Sequence, residues 1–192
     1  DGQLLFSESK AYWLEGEGFG LPHRLSSSAL WNGEWVIGSS TGPQALRQGQ
    51  KTWSRTDTHD LAGFAVCAAN FDQDPEEELA VGAPGLGKVA LLNPGETLEE
   101  ALWFGPENGR FGHALACEDG LLLVGAPTTG ENLAGAVWLL ESPFEEGLLE
   151  SAFYSGAPWQ QAGFAVEASP SLFALGAPGN AHTPGSVTLW RR

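Results

Sequence analysis

The 192 residues predict an all-β chain assembled from repeated antiparallel units, and three observations carry that expectation. The tetrapeptide Val81-Gly82-Ala83-Pro84 returns at Val124 to Pro127 and, as Leu-Gly-Ala-Pro, at Leu175 to Pro178. Upstream of each lies a small-residue motif around Gly63, Phe111-Gly112-His113 or Ala162-Gly163-Phe164, and downstream a Gly-x-Val strand begins at Gly87, Gly135 or Gly185. The 26 glycines and 12 prolines fall between short apolar runs, which is the punctuation of many-stranded β structure. Self-similarity at such intervals marks a repeat architecture, in which no unit buries its apolar surfaces alone.

Taken in order, the units number five. The first opens with Asp1 to Ser9 and continues through Lys10-Ala11-Tyr12-Trp13-Leu14, so it starts at its second strand. The next contains Ala29-Leu30 and Trp35-Val36-Ile37-Gly38-Ser39-Ser40, in which Gly-Ala-Pro has drifted to Gly-Ser-Ser, with an Asn32-Gly33 turn between them. The third spans residues 62 to 92, and the fourth and fifth follow the motifs at Gly112 and Gly163. The last stops at its third strand with Trp190-Arg191-Arg192. Counted from Ser7, the equivalent positions are Gly38, Gly82, Gly125 and Gly176, 31 to 51 residues apart.

Each unit reads as four strands: one with the small-Gly motif, one ending in Gly-Ala-Pro, one led by Gly-x-Val, and one carrying an aromatic at Phe19, Trp53, Trp103 or Tyr154. Proline cannot continue a central ladder, and glycine inside a strand marks close backbone approach. Antiparallel meanders of this kind bury both faces by stacking radially. The prediction is a small β-propeller over residues 1–192, a single domain of five blades of about four antiparallel strands, with incomplete first and last blades. An open or partner-completed array is the lesser alternative to a closed ring. Trp13, Trp138 and Trp190 on third strands, with Trp53 and Trp103 on fourth strands, are expected to fill the gaps between blades. The stretches Leu46 to Lys51, Pro94 to Glu100 and Ser142 to Leu149 are expected to be loops at blade edges.

These motifs resemble the FG-GAP repeat family, the repeat of the integrin alpha-subunit propeller and of many secreted bacterial proteins. The resemblance is clear in three copies, about two thirds of the chain. It implies a propeller serving adhesion, ligand recognition or assembly, and a calcium loop where this chain has Asn70 to Glu78. Carried over position by position, Asn70, Asp72, Asp74 and Glu78 would offer side chains and Glu76 a backbone carbonyl. The residues support this independently, because Asn70, Asp72, Asp74, Glu76 and Glu78 alternate at every second position and calcium takes six to eight oxygens. Two departures stand out: Pro75 replaces the family's glycine, although proline holds φ near −65°, and Glu78 stands where aspartate is usual. The competing reading is a solvated acidic turn. Magnesium fits less well, since it keeps its waters and prefers near-ideal octahedral sites.

A net charge of −15 argues against a nucleic-acid partner, because phosphate contacts need clustered cations. No apolar run is long enough for a helical membrane span. The absence of Met and the start at Asp1 suggest a processed, secreted or extracytoplasmic product. Cys67 and Cys117 are offset by one position when Gly63 and Gly112 are aligned. With side chains alternating along a strand, they are expected to face opposite ways, which favours two buried thiols over a disulfide.

No catalytic motif emerges, and the expectation is a module that is not an enzyme. Asp57-Thr58-His59-Asp60 reads as a polar loop between blades and His113 as a satisfied buried histidine. A protein or glycan partner is expected at a loop end of the array, with Trp159, His59, Arg47 and Arg55 as candidate contacts. A carbohydrate-binding lectin, an accessory domain of a secreted hydrolase and a structural subunit of an extracellular assembly are the alternatives.

Overall fold

The computed structural model describes residues 4–7, 10–13, 19–20, 25–39, 44–47, 50–54, 63–72, 74–93, 101–118, 120–142, 147–148 and 153–192. Through residue 25, and again from 44 to 54, the description covers backbone pairing alone. The described residues are all-β, arranged as five small sheets.

The first sheet is β1 (Leu4–Ser7), β2 (Lys10–Trp13) and β3 (Phe19–Gly20). The second is β4 (Leu25–Trp31), β5 (Glu34–Ser39), β6 (Gln44–Arg47) and β7 (Gln50–Ser54). The third begins with β8 (Ala65–Ala69), β9 (Glu78–Ala83), β10 (Lys88–Leu92) and β11 (Ala101–Phe104). The fourth contains β12 (Ala114–Glu118), β13 (Leu121–Ala126) and β14 (Ala136–Glu141). Next come β15 (Gly147–Leu148), which lies parallel to β11 at the edge of the third sheet, and β16 (Tyr154–Ser155), which completes the fourth. The fifth is β17 (Ala165–Ser169), β18 (Leu172–Ala177) and β19 (Ser186–Arg191).

Apart from the β11–β15 edge, neighbouring strands are antiparallel and follow chain order. The repeat assignment therefore holds strand by strand. Gly38, Gly82, Gly125 and Gly176 all lie on second strands, and the last three pair with Val89, Val137 and Val187 on third strands. Phe19, Trp53, Trp103 and Tyr154 lie on fourth strands. The first sheet starts at its second strand and the fifth ends at its third. The expected loop from Ser142 to Leu149 needs correction, because Gly147–Leu148 is recruited to a neighbouring edge.

The second to fifth sheets stack in order, with the first strands β4, β8, β12 and β17 touching in succession. Three apolar layers fill the gaps. Trp31, Val36, Val66 and Leu79 lie between the second and third sheets. Trp103, Phe111, Val124 and Trp138 lie between the third and fourth, and Leu123, Val137, Phe173 and Leu175 between the fourth and fifth. Alternating side chains feed layers on both sides of each inner sheet, which is why β9 and β13 are buried along their whole length. Trp103 and Trp138 fill gaps as expected, whereas Trp190 on the last sheet is half-exposed and meets Phe153 edge-on at 5.1 Å.

Between sheets the backbones approach closely at glycine. A Cβ on Gly38, Gly82 or Gly125 would strike the carbonyl of Gly63, Gly112 or Gly163 in the next sheet. The three glycines that present these carbonyls have φ of 86°, 87° and 81°, a conformation open to glycine without strain.

Candidate functional site

The acidic loop joins β8 to β9, and its geometry follows from three anchors. Phe71 is buried in the layer between the third and fourth sheets, pinning one side of the loop. Its N–H donates to Glu78 Oε2 at 2.7 Å, and Glu78, only 1 % exposed, holds the other side. Flanking turns clamp the outside. Trp31 Nε1 and Asn32 Nδ2 donate to the Glu77 carbonyl at 2.6 and 2.8 Å, Glu77 N–H donates to Asn32 Oδ1, and Gly120 N–H donates to the Asn70 carbonyl at 3.0 Å.

Within this frame Asp72, Asp74 and Glu78 converge, each with a carboxylate oxygen within 4.8 Å of the others. Like charges brought this close repel one another. A divalent cation among them would remove that repulsion, and carboxylate oxygens are the donors that hard cations take.

The other two expected ligands are held in the loop by hydrogen bonds of their own. Asn70 Nδ2 donates to the Asp74 carbonyl. Glu76 points its side chain into solvent and donates its N–H to Asp74 Oδ1 at 2.7 Å. A second such turn, Asp74 N–H to Asp72 Oδ1 at 2.9 Å, precedes it. These side-chain turns curl the backbone without a left-handed residue, so Pro75 is accommodated where a glycine was expected.

Of the candidate ligand contacts, Trp159 and the backbone of Arg47 are described. Strand order places the hairpins between first and second strands, and those between third and fourth, at one end of the stack with the acidic loop. The Gly-Ala-Pro loops and the links between sheets lie at the other. Arg47, at the close of β6, is thus at the opposite end from Trp159, and only its backbone is described. His59 and Arg55 lie outside the described residues.

Trp159 is 44 % exposed and left-handed at φ 68°, with its N–H donating to the Asn132 carbonyl at 2.7 Å. Leu133, also exposed, has its carbonyl paired to Gln161 N–H beside it. One link earlier, Asn108 and Arg110 repeat the left-handed pair Trp159 and Gln161, with φ of 60° and 56°. There the Gly-Ala-Pro loop is only Gly85 to Gly87, and a cleft of about 480 Å³ opens between Leu86, Glu107, Arg110 and Thr128. In the next link the longer segment from Thr128 to Gly135 lies alongside Trp159 to Ala162. Repeat alignment could have located this cleft, because it follows from the difference in loop length.

Sequence reasoning also missed two features at the sheet interfaces. Cys67 and Cys117 form a disulfide between β8 and β12, with Cα atoms 5.7 Å apart. The expectation of two thiols is corrected here: in stacked sheets, side chains that point opposite ways on equivalent strands face each other across the gap. The offset of one position therefore brings the sulfurs together. His113 is 8 % exposed and lies between Phe64 and Phe164, with ring centroids at 4.9 and 4.8 Å. These three residues each follow the small-Gly motif of their sheet. His113 is not fully satisfied as expected, since Nδ1 has no hydrogen-bond partner among the described residues. Burial, with the Arg110 charge nearby, lowers its pKa against an opposing backbone hydrogen bond at Phe164.

No protein-family profile matches the chain, and no curated protein matches it. Among solved structures, the crystal structure of the computationally designed Ika4 protein is similar over 93 % of this chain and 94 % of its own. It has a TM-score of 0.54 and 16 % identity. At that identity the likeness concerns the fold alone. No helix among the described residues is long and apolar enough to cross a membrane.

Proposed function

We propose that the chain is a non-catalytic extracytoplasmic binding and assembly module of the FG-GAP type. Its five sheets are the blades of a propeller-type array, and its acidic loop holds one calcium ion. The observation that carries the metal reading is the convergence of Asp72, Asp74 and buried Glu78 within a loop anchored at Phe71 and clamped by the Asn32 and Gly120 turns. Asp72 and Asp74 bind from the solvent side, while Glu78 ties the ion to β9. The ion neutralises the acidic cluster and fixes the loop, so its role is structural.

The binding reading rests on where variation is allowed. Repeated glycine contacts constrain the sheets, which leaves the connecting segments at each end to differ. Trp159 and Leu133 form an apolar exposed pair there, suited to anchoring a protein or glycan partner. The Cys67–Cys117 disulfide supports an oxidising, extracytoplasmic setting. Assembly is the favoured second reading, because the last sheet leaves a blade face exposed; a closed five-blade ring would instead cover that face with the first sheet.

Thermal unfolding with calcium and with chelator tests the site. Calcium at a hundred times its dissociation constant should stabilise the fold by about 2.7 kcal/mol, and Asp72→Ala should abolish that difference. Identical wild-type melting curves in calcium and chelator would remove the metal from this reading.

A further inference from the structure

The three inner interfaces define what covers a second-strand glycine: the carbonyl of a left-handed glycine heading the next sheet. Gly176 is the fourth such position, and a Cβ there would meet only Ala165 of its own sheet, at 3.3 Å. The third strand agrees. Val89 and Val137 are both 0 % exposed, whereas the equivalent Val187 is 70 % exposed and Leu189 on the same face is 63 % exposed.

We propose that this outer face of the fifth sheet binds the same face of a second copy, making a two-fold dimer. This goes beyond the binding reading and is independent of calcium. The register puts Gly176, Val187 and Leu189 on one face, with Glu167 on the β17 edge and Arg191 on the β19 edge. A two-fold axis along the strands lays β17 of each copy over β19 of the other and brings Glu167 near Arg191 of its mate. An axis across the strands would set like charges opposite each other. The charge pattern therefore favours the first arrangement, and apolar sheet faces pack at the aligned angle it produces. A three-stranded face is small, which places the dimer among weak, concentration-dependent interfaces.

Sedimentation equilibrium of the full chain across the micromolar range, at physiological salt, tests the proposal. The mass should rise with concentration from the 20.3 kDa monomer to twice that value and no further. Leu189→Glu should weaken dimerisation by at least about 100-fold through an unpaired charge at the interface while preserving the monomer's melting temperature. Glu167→Arg and Arg191→Glu should each weaken it, and the double variant should recover it. A wild-type monomer at every concentration would overturn the proposal, as would open-ended polymers. So would a Leu189→Glu chain that loses fold stability as a monomer, because that result assigns the face to the chain's own first sheet.

Discussion

His113 couples protonation to folding. Its ring lies between two phenylalanines and its Nδ1 is buried without a partner among the described residues, so adding a proton would place a charge in an apolar stack. Burial lowers the folded pKa, and Arg110 opposes protonation further. The unfolded chain then binds the proton more readily. The resulting stability is full above the ordinary imidazole value of about 6.5 and declines as pH falls from there toward the lowered folded value. Melting temperatures measured at about pH 7.5 and about pH 5.5 should show the decline. His113→Phe, which reproduces the residue found in the equivalent positions of two other sheets, should lose less stability between those conditions; an equal loss would assign the pH dependence elsewhere. The acidic loop teaches a related lesson about single residues. Alternation revealed Asp72, Asp74 and Glu78, but not that Asp72 Oδ1 and Asp74 Oδ1 accept the N–H groups of Asp74 and Glu76. Backbone N–H groups two residues away compete for the same side-chain oxygens, and spacing alone cannot decide that competition.

At the scale of strands, the repeats made the order of first to fourth strands readable because each carries its own punctuation: the small-Gly motif, Gly-Ala-Pro, Gly-x-Val and an aromatic. What they left out were relations between units. The parallel docking of β15 on β11 involves two residues, too few for any periodicity to announce. The disulfide was misread because alternation within one strand was treated as the whole geometry, although it is the stacking of β8 against β12 that brings the sulfurs together. Closing 50 residues of chain, this bridge removes unfolded-state freedom worth about 4 kcal/mol in the chain-entropy account. Replacing both Cys67 and Cys117 with Ala should therefore lower unfolding stability by roughly 2 to 4 kcal/mol, measured by denaturant titration. The double variant should also become insensitive to reductant. A wild type whose midpoint is indifferent to reductant would contradict a bridge between the two sheets.

For the molecule as a whole, the stack is governed by how closely one sheet can approach the next, and the second-strand glycines set that distance. Gly82 and Gly125 face backbone carbonyls that cannot rotate away. A side chain there must push entire sheets apart, disturbing apolar layers that contain Trp103, Phe111 and Trp138 on one side and Phe173 on the other. Gly82→Val and Gly125→Val should each cost about 3 kcal/mol, the upper part of the usual range for overpacking. Gly176→Val introduces the same chemistry at the same point of the repeat, but its nearest obstacle is the Ala165 side chain at 3.3 Å, a tight contact that a shift of a few tenths of an ångström relieves. In chains diluted to monomers it should cost less than about 1 kcal/mol, as read from chemical unfolding. If all three substitutions cost alike, the penalty belongs to the strand itself, since only the first two glycines have a neighbouring sheet pressed against them. If Gly176→Val alone is tolerated, the difference measures the contact between sheets, and the last sheet is the place where the array remains open.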